Sequence, residues 1–511
     1  MSEDAFDVIV VGSGMGGLSA AAALAKRGRR VLVLERHFQL GGLTQTFRRG
    51  EYDFATGLHY LGGLGEGPEP ENRFRRMLDW LSDGRLHFAS VGSPYDIVRL
   101  PDYEFPVESP RAAFVGRLKR EFPRESGSIE RWFAACDEAQ KANMALFAAR
   151  GLPAPLGAAL RWANTGRIRR ALGTTTADAV HGMRDARLAA VLSARWGDYG
   201  IPPERSPFAV HALVMGSYFN GAYYPVGGPA RFAEALGETI RAAGGELRTK
   251  AEVAEIRVAG GRAAGVRLAS GDMIDAPHVV SAMGARNTIA ALAPDAALEW
   301  RREIESLKSG MSYVSLYLGF RGDIRAQGAT AANVWVYASN DIGRLWERPT
   351  EEEAPCLFVS FPSLKDPSHA DPGHHTAEVV AFCGWEPFAA WADSAPGRRP
   401  EAYQATKAWI AESLLAQFKR SFPRLAPLVD FHELSTPLSQ AAFVAADRGS
   451  AYGLEMSAER IAHPALRIRT PVPGLLLAGQ DVVSLGIAGA FMGGFIAAAS
   501  LEPRLWRQMT Q

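Results

Sequence analysis

His59, in Thr56-Gly57-Leu58-His59-Tyr60, is of the side-chain type that exchanges protons near neutral pH. Its other reading is a histidine that only hydrogen-bonds a cofactor or the backbone. Tyr223 and Tyr224, just before Pro225-Val226-Gly227-Gly228, could line a reacting ring or give a proton, although packing is the commoner role for such a pair. Asp366, His369, Asp371, His374 and His375 lie close enough to raise a metal site. Prolines and Gly373 deny them the i, i+4 spacing of helical ligands, so we read a polar loop and no metal. No serine or cysteine stands in a nucleophile-elbow or reactive-thiol context, which leaves hydrolase chemistry without support.

The glycines say more. Val8-Ile9-Val10-Val11 is a short β-branched run, as a buried parallel strand requires. Gly12, Gly14 and Gly17 follow as G-x-G-x-x-G, with Met15 and Gly16 inside the turn. Gly12 permits the tight turn, Gly14 lets a pyrophosphate approach the backbone, and Gly17 lets the next helix sit against the strand. The helix N-terminus offers free N–H groups to that anion. A second apolar run, Val31 to Leu34, ends at Glu35, placed to accept hydrogen bonds from a ribose diol. The chain therefore binds an adenine dinucleotide.

Two further segments choose among dinucleotides. Arg36 and then Gly41-Gly42-Leu43-Thr44 follow the acid, and a glycine pair there lets the chain fold back across a pyrophosphate. Far downstream, Leu475 to Ala478 reads as a buried strand, followed by Gly479, Asp481 and a glycine-rich helix start around Gly486, Ala488 and Gly489. That places a carboxylate near a polyol and a helix N-terminus near developing negative charge. The ribityl chain and N1–C2=O edge of a flavin suit both, so the expected cofactor is FAD. The glycines at 62–67 and 260–265 neither follow a buried strand nor open a helix, and read as turns. One fingerprint leaves no evident NAD(P)H pocket and an unknown electron partner.

Bulk properties are those of an ordinary globular protein: 511 residues, 47% hydrophobic, 22% charged. A net charge of +1 gives no electrostatic case for nucleic acid. Cys136, Cys356 and Cys383 are far apart and fit a reducing compartment. The acidic start MSEDAFD lacks the features of a secretory signal, and no uncharged apolar run reaches spanning length. The most apolar stretch, Val482 to Leu501, reads as a buried helix. The expected location is the cytoplasm, with a membrane surface as an option. Within 156–172, Leu156, Leu160, Trp162, Ile168 and Leu172 interleave with Arg161, Arg167, Arg169 and Arg170. Such a basic, aromatic-bearing helix can lie on an anionic bilayer or simply be a solvated face.

The chain resembles the glutathione-reductase-type FAD flavoproteins, and within them the phytoene desaturases, carotenoid isomerases and retinol saturases. Five stretches carry this: the first fingerprint, DFATGLHYLGG (53–63), GDYGIPPERSPF (197–208) with GAYYPVGGPARFAEAL (221–236), FPSLKDPSHADPGHHT (361–376), and PGLLLAGQD…GAFMGG near the C-terminus. The stretches around His59 and Tyr224 look most like retinol saturases. The resemblance implies an α/β fold with a discontinuous FAD-binding Rossmann domain, 1–70, 222–300 and 465–511, in which the backbone at Val253 meets the adenine. The substrate domain, 71–221 and 301–464, would be an antiparallel sheet forming the cavity floor with a helical cap over 110–220. The implied activity is saturation of a polyene C=C bond by hydride from reduced flavin. Carotenoid isomerisation or desaturation, fatty-acid double-bond isomerisation, and non-catalytic polyene binding are the alternatives.

Overall fold

The computed structural model describes residues 6–65, 73–152 and 154–510. Most of the acidic N-terminal start, the far end of the 62–67 turn and the 70/71 domain boundary lie outside the described residues.

Short apolar runs build the first domain. Five parallel strands lie in the order Leu475–Leu477, His278–Ser281, Val8–Val11, Val31–Leu34 and Glu246–Arg248. Val10 sits between Val33 and Val280, and all three are fully buried, which is why these runs carry no alternating polar face. The helix Met15–Ala25 is buried along its whole length because it is covered by the sheet on one side and the helix Gly486–Leu501 on the other. The two helices cross so closely that a methyl on Gly494 would overlap the Gly16 carbonyl. Ser19 Oγ donates to the Phe491 carbonyl across the same crossing, at 2.8 Å. A three-stranded meander, Val253–Ala259, Arg262–Leu268 and Met273–Asp275, is attached as the sequence suggests. The helix Arg73–Ser82, placed by sequence with the substrate domain, instead puts Met77, Leu78 and Leu81 into this first core.

The second domain is a seven-stranded sheet in the order Val429–Ser435, Ser312–Arg321, His374–Cys383, Cys356–Ser360, Asn333–Tyr337, Asp96–Leu100 and Tyr103–Val107. It is not wholly antiparallel, because Asn333–Tyr337 pairs in parallel with Asp96–Leu100, a strand lying before the cap in sequence. Register gives the sheet two different faces. Tyr313 lies opposite Phe382, Phe358 opposite both Trp335 and Val380, and this aromatic face looks toward the cap. The alternating residues Val314, Leu357, Val359 and Ala381 pack instead with Ile410, Leu414 and Phe418 of the helix Glu401–Ser421.

Residues 111–217 form the helical cap. The 156–172 segment is not the single helix read from its composition: Ala154–Ala163 and Thr165–Gly173 are separate, broken at Asn164. Asn164, with φ −110 and ψ 10, leaves the helical region and starts the second helix.

Candidate active site

One continuous cavity of about 900 Å³ runs from the glycine turn to the aromatic face of the second sheet. Gly12, Gly14, Met15, Gly16, Glu35, Arg36, Gly42, Leu43, Thr44, His59, Val253, Gly479, Asp481, Ala488 and Gly489 all line it. Gly17 does not. A methyl there would overlap the Gly12 carbonyl, so its work is to hold the helix against the strand.

The glycine turn is shaped for a close anion. A methyl on Gly14 or Gly479 would meet nothing within 4 Å, so both backbones border open space. Gly12 and Gly479 take φ +95 and +94, and Gly41 and Gly42 take +113 and +57, which glycine adopts without strain. Glu35 is anchored at the edge: its carboxylate accepts from the Ser13 amide at 2.9 Å, the Ser13 hydroxyl at 2.6 Å and the His37 amide at 2.9 Å. Ser13 went unremarked in the sequence, although it sits inside the fingerprint. Arg36 reaches the carbonyls of Ala441 and Ala442 and stands 3.9 Å from Glu252. Asp481 is more structural than its spacing suggests, since its oxygens accept from the amides of Ala285 (2.8 Å) and Leu454 (3.0 Å). It thereby fastens two chain segments to the cavity wall beside the N-terminus of Gly486–Leu501. An open cradle at Gly14, an acid at one end and a helix N-terminus at the other fit a dinucleotide.

Beyond the turn the wall becomes aromatic and aliphatic: Tyr313, Trp335, Phe358, Val380, Phe382 and Tyr452. His59 stands where the two regions meet. Its Nδ1 lies 2.7 Å from Glu378 Oε2, and the other Glu378 oxygen accepts from the Ala55 amide at 2.7 Å. Glu378 has no exposed surface. It shares a strand face with Val380 and Phe382, two and four residues farther along, so the sheet itself aims it under His59. With Nδ1 engaged, Nε2 is the ring nitrogen left for the cavity.

Behind this wall lies a buried polar group that the sequence did not disclose. Arg195 donates to Asp198 Oδ2 (2.8 Å) and to the Tyr60 hydroxyl (2.6 Å), and lies 3.4 Å from Asp96. The Tyr218 ring covers its guanidinium at 4.0 Å. Burial pushes the Asp96 carboxyl up to about 6 against the opposing pull of Arg195. Lys365 donates to the His59 carbonyl (2.9 Å), the Ser360 hydroxyl (2.6 Å) and Asn333 Oδ1. Its burial lowers the ammonium to about 7. Of this group, Tyr60, Asp198 and Tyr218 reach the cavity.

Other expected candidates take structural places. Tyr223 and Tyr224 belong to a short strand paired with Phe88–Ser90, and neither lines the cavity. In the polar loop, His374 Nδ1 pairs with Asp371 at 2.7 Å, His375 Nδ1 meets Ser363 Oγ at 3.2 Å, and Asp366 accepts from the Gly227 amide at 3.1 Å. These separate contacts do not converge on one point. All three cysteines are buried and free.

The chain matches the family model described as an NAD(P)-binding Rossmann-like domain over residues 10–80. It is 33% identical to human all-trans-retinol 13,14-reductase, over 98% of this chain and 86% of that protein. It is 25% identical to the chloroplastic prolycopene isomerase of Arabidopsis thaliana, over 88% of this chain and 74% of that protein. Cyclohexylamine oxidase from Brevibacterium oxydans IH-35A shares the fold, with a TM-score of 0.62 and 16% identity, over 99% of this chain and all of that one. The chain is an FAD-dependent oxidoreductase and belongs to the all-trans-retinol 13,14-reductase family.

Proposed function

We propose that this protein reduces one C=C bond of a long, apolar, conjugated alcohol of the retinoid kind. The observation that carries the reading is the continuity of the dinucleotide cleft with an aromatic chamber whose wall includes the Asp198 carboxylate. The relative named for all-trans-retinol supports the substrate class.

In this reading Gly14 and Gly479 receive the pyrophosphate, Glu35 the adenosine ribose, and Val253 the adenine. Gly42, Leu43 and Thr44 close over the pyrophosphate, and Ala488 and Gly489 present amides to the flavin ring. Bound in its reduced form, FAD supplies hydride to one carbon of the double bond. His59 Nε2 gives a proton to the other carbon, with Glu378 fixing the ring through Nδ1–H. Tyr313, Trp335, Phe358 and Phe382 align the polyene and exclude water. The reductant is a separate donor, since the single glycine fingerprint is filled by FAD.

Anaerobic incubation of the reduced enzyme with all-trans-retinol tests this. Product heavier by two hydrogens is expected. Product of unchanged mass and altered absorbance makes it an isomerase, and no product removes the proposed function.

Among the described residues no helix is long and apolar enough to cross a membrane. We infer that the protein works at a membrane surface on the cytoplasmic side. Free cysteines support the compartment, and the exposed Trp162 and Leu156 of the cap support the surface.

A further inference from the structure

Beneath the cap, a second cavity of about 190 Å³ lies between the helices Ser126–Gly151, Ala154–Ala163 and Thr165–Gly173 and the segment 461–467. Its wall holds four arginines, Arg150, Arg161, Arg169 and Arg467, together with His463 and Thr165, and no carboxylate. None of the four arginines has an ion pair among the described residues, whereas Arg167, on the same helix as Arg169, pairs with Glu138. Arg150 is the floor. Its guanidinium is buried and donates to four backbone carbonyls, those of Val482 (2.7 Å), Val483 (3.4 Å), Arg460 (3.3 Å) and Ile461 (2.6 Å). Those carbonyls hold it in place without neutralising it. Burial, with Arg460 and Arg161 nearby, brings this guanidinium down to about 9. Cations gathered around a cavity without a counter-charge repel one another unless an anion enters.

The surroundings say what carries the anion. Among the described residues nine large hydrophobic side chains are exposed, and four of them, Met144, Leu152, Leu156 and Trp162, fall between residues 144 and 162. Trp162 is 82% exposed and Leu156 59%. Arginines flanked by an exposed tryptophan and aliphatic side chains match the boundary between lipid headgroups and acyl chains.

We propose that this cavity is a phosphate-binding site that seats the headgroup phosphate of a membrane lipid. Arg161 and Arg169 hold the phosphate oxygens from the rim, Arg150 faces them from the floor, and Leu156 and Trp162 enter the adjoining acyl region. Through Arg150 the phosphate is one residue's reach from Val482 and Val483, and Val483 lines the FAD cavity. Docking there sets the active-site cavity close to the bilayer from which an apolar substrate would come.

The FAD-loaded full chain is sedimented with phosphatidylcholine vesicles and with phosphatidylcholine vesicles containing phosphatidic acid. Inorganic phosphate is titrated separately at constant ionic strength, followed by the unfolding midpoint. Three proteins are compared: wild type, the Arg161→Gln/Arg169→Gln double variant, and Arg344→Gln/Arg348→Gln as a remote control of equal charge. Wild type should prefer the phosphatidate vesicles, and the double variant should bind them about tenfold more weakly or worse, with the control unchanged. Equal losses in double variant and control reduce the effect to net charge and overturn the site. A phosphate-induced shift lost in the double variant, with no vesicle preference, upholds the phosphate chemistry and overturns the lipid source. Arg161→Lys/Arg169→Lys guards against a folding defect, because it keeps the charge and should retain most of the vesicle binding. Flavin content reports whether each variant has folded.

Discussion

His59 Nδ1 lies 2.7 Å from the carboxylate of Glu378, an acid with no exposed surface, in a chain where the two are 319 residues apart. The pair gives the imidazole one tautomer and one orientation, with Nε2 facing the cavity. The Ala55 amide in turn holds Glu378, so the ring is fixed from two segments at once.

His59→Phe should leave FAD bound and slow the reoxidation of reduced flavin by the polyene by about 10²–10⁴-fold, the usual contribution of a positioned acid. Glu378→Gln keeps an acceptor for Nδ1–H but removes the charge, and should cost less, about 10–100-fold, in kcat more than KM. Rapid-mixing absorbance of the reduced enzyme with retinol separates these. Unchanged rates in His59→Phe would make His59 a wall residue only.

Two glycines of the same motif system should fail in opposite ways. Gly14 has φ −64 and open space where a methyl would go. Gly14→Ala should therefore leave apo-protein stability within about 1 kcal/mol while releasing FAD, because the methyl fills the pyrophosphate position. Gly494→Ala drives a methyl into the Gly16 carbonyl between two rigid helices. It should cost about 3 kcal/mol or more, seen as a lowered urea midpoint even without flavin. If Gly14→Ala retains flavin at wild-type affinity, the proposed seat of the pyrophosphate is wrong.

The contrast between these halves explains what was legible in the sequence. The glycine turn, Glu35, Gly42 and the Gly486 helix announce themselves because their signals are local: a β-branched run, a positive φ, a helix start. Arg195, Asp198, Lys365 and Glu378 converge only through sheet register and cap packing, which no local window contains. Glu378 did leave a trace, as a lone acid inside the buried strand HHTAEVVAFC, where the pleat puts it beside Val380 and Phe382. The break at Asn164 was also readable, since Asn-Thr-Gly favours a helix start, but the arginine pattern running across it suggested one continuous face. Gly17 was legible in the same way: its fingerprint position calls for close packing of helix on strand, and it packs there without lining the cavity.

Lys365 should make stability depend on pH in a specific window. Burial lowers its ammonium from 10.5 to about 7, so between those values the unfolded chain carries a proton that the folded chain sheds. The contribution is present in full above the unfolded value and is lost as pH falls through about 7. Asp96, raised to about 6, is mostly ionised throughout that window. Lys365→Met strands the His59 carbonyl, Asn333 Oδ1 and Ser360 Oγ, and should cost about 2–4 kcal/mol. Denaturant unfolding of both proteins should show the wild-type advantage growing from about pH 7 to about pH 10. An advantage that stays flat would mean that the folded chain keeps the Lys365 proton across this window, and would overturn the lowered value.

Asp198 should decide which end group the chamber accepts. Its Oδ2 takes two bonds from Arg195, at 2.8 and 3.1 Å, and one from the Tyr60 hydroxyl at 3.2 Å, while Oδ1 has no donor among the described residues. A free acceptor on the wall of an apolar cavity favours a hydroxyl over a hydrocarbon end, and repels a carboxylate. The wild type should thus favour all-trans-retinol over retinoic acid by about tenfold or more in kcat/KM. In Asp198→Asn the amide oxygen stays with Arg195, whose N–H groups require an acceptor, and the NH₂ group turns toward the cavity. The corner changes from acceptor to donor, so the acid should gain on the alcohol until the preference is small or reversed. Flavin binding and reduction by dithionite should be unaltered, since Asp198 touches neither in this reading. If the variant keeps the wild-type preference while reducing both compounds, the alcohol is recognised elsewhere. If neither protein reduces either compound, the failure lies with the proposed reaction and not with Asp198.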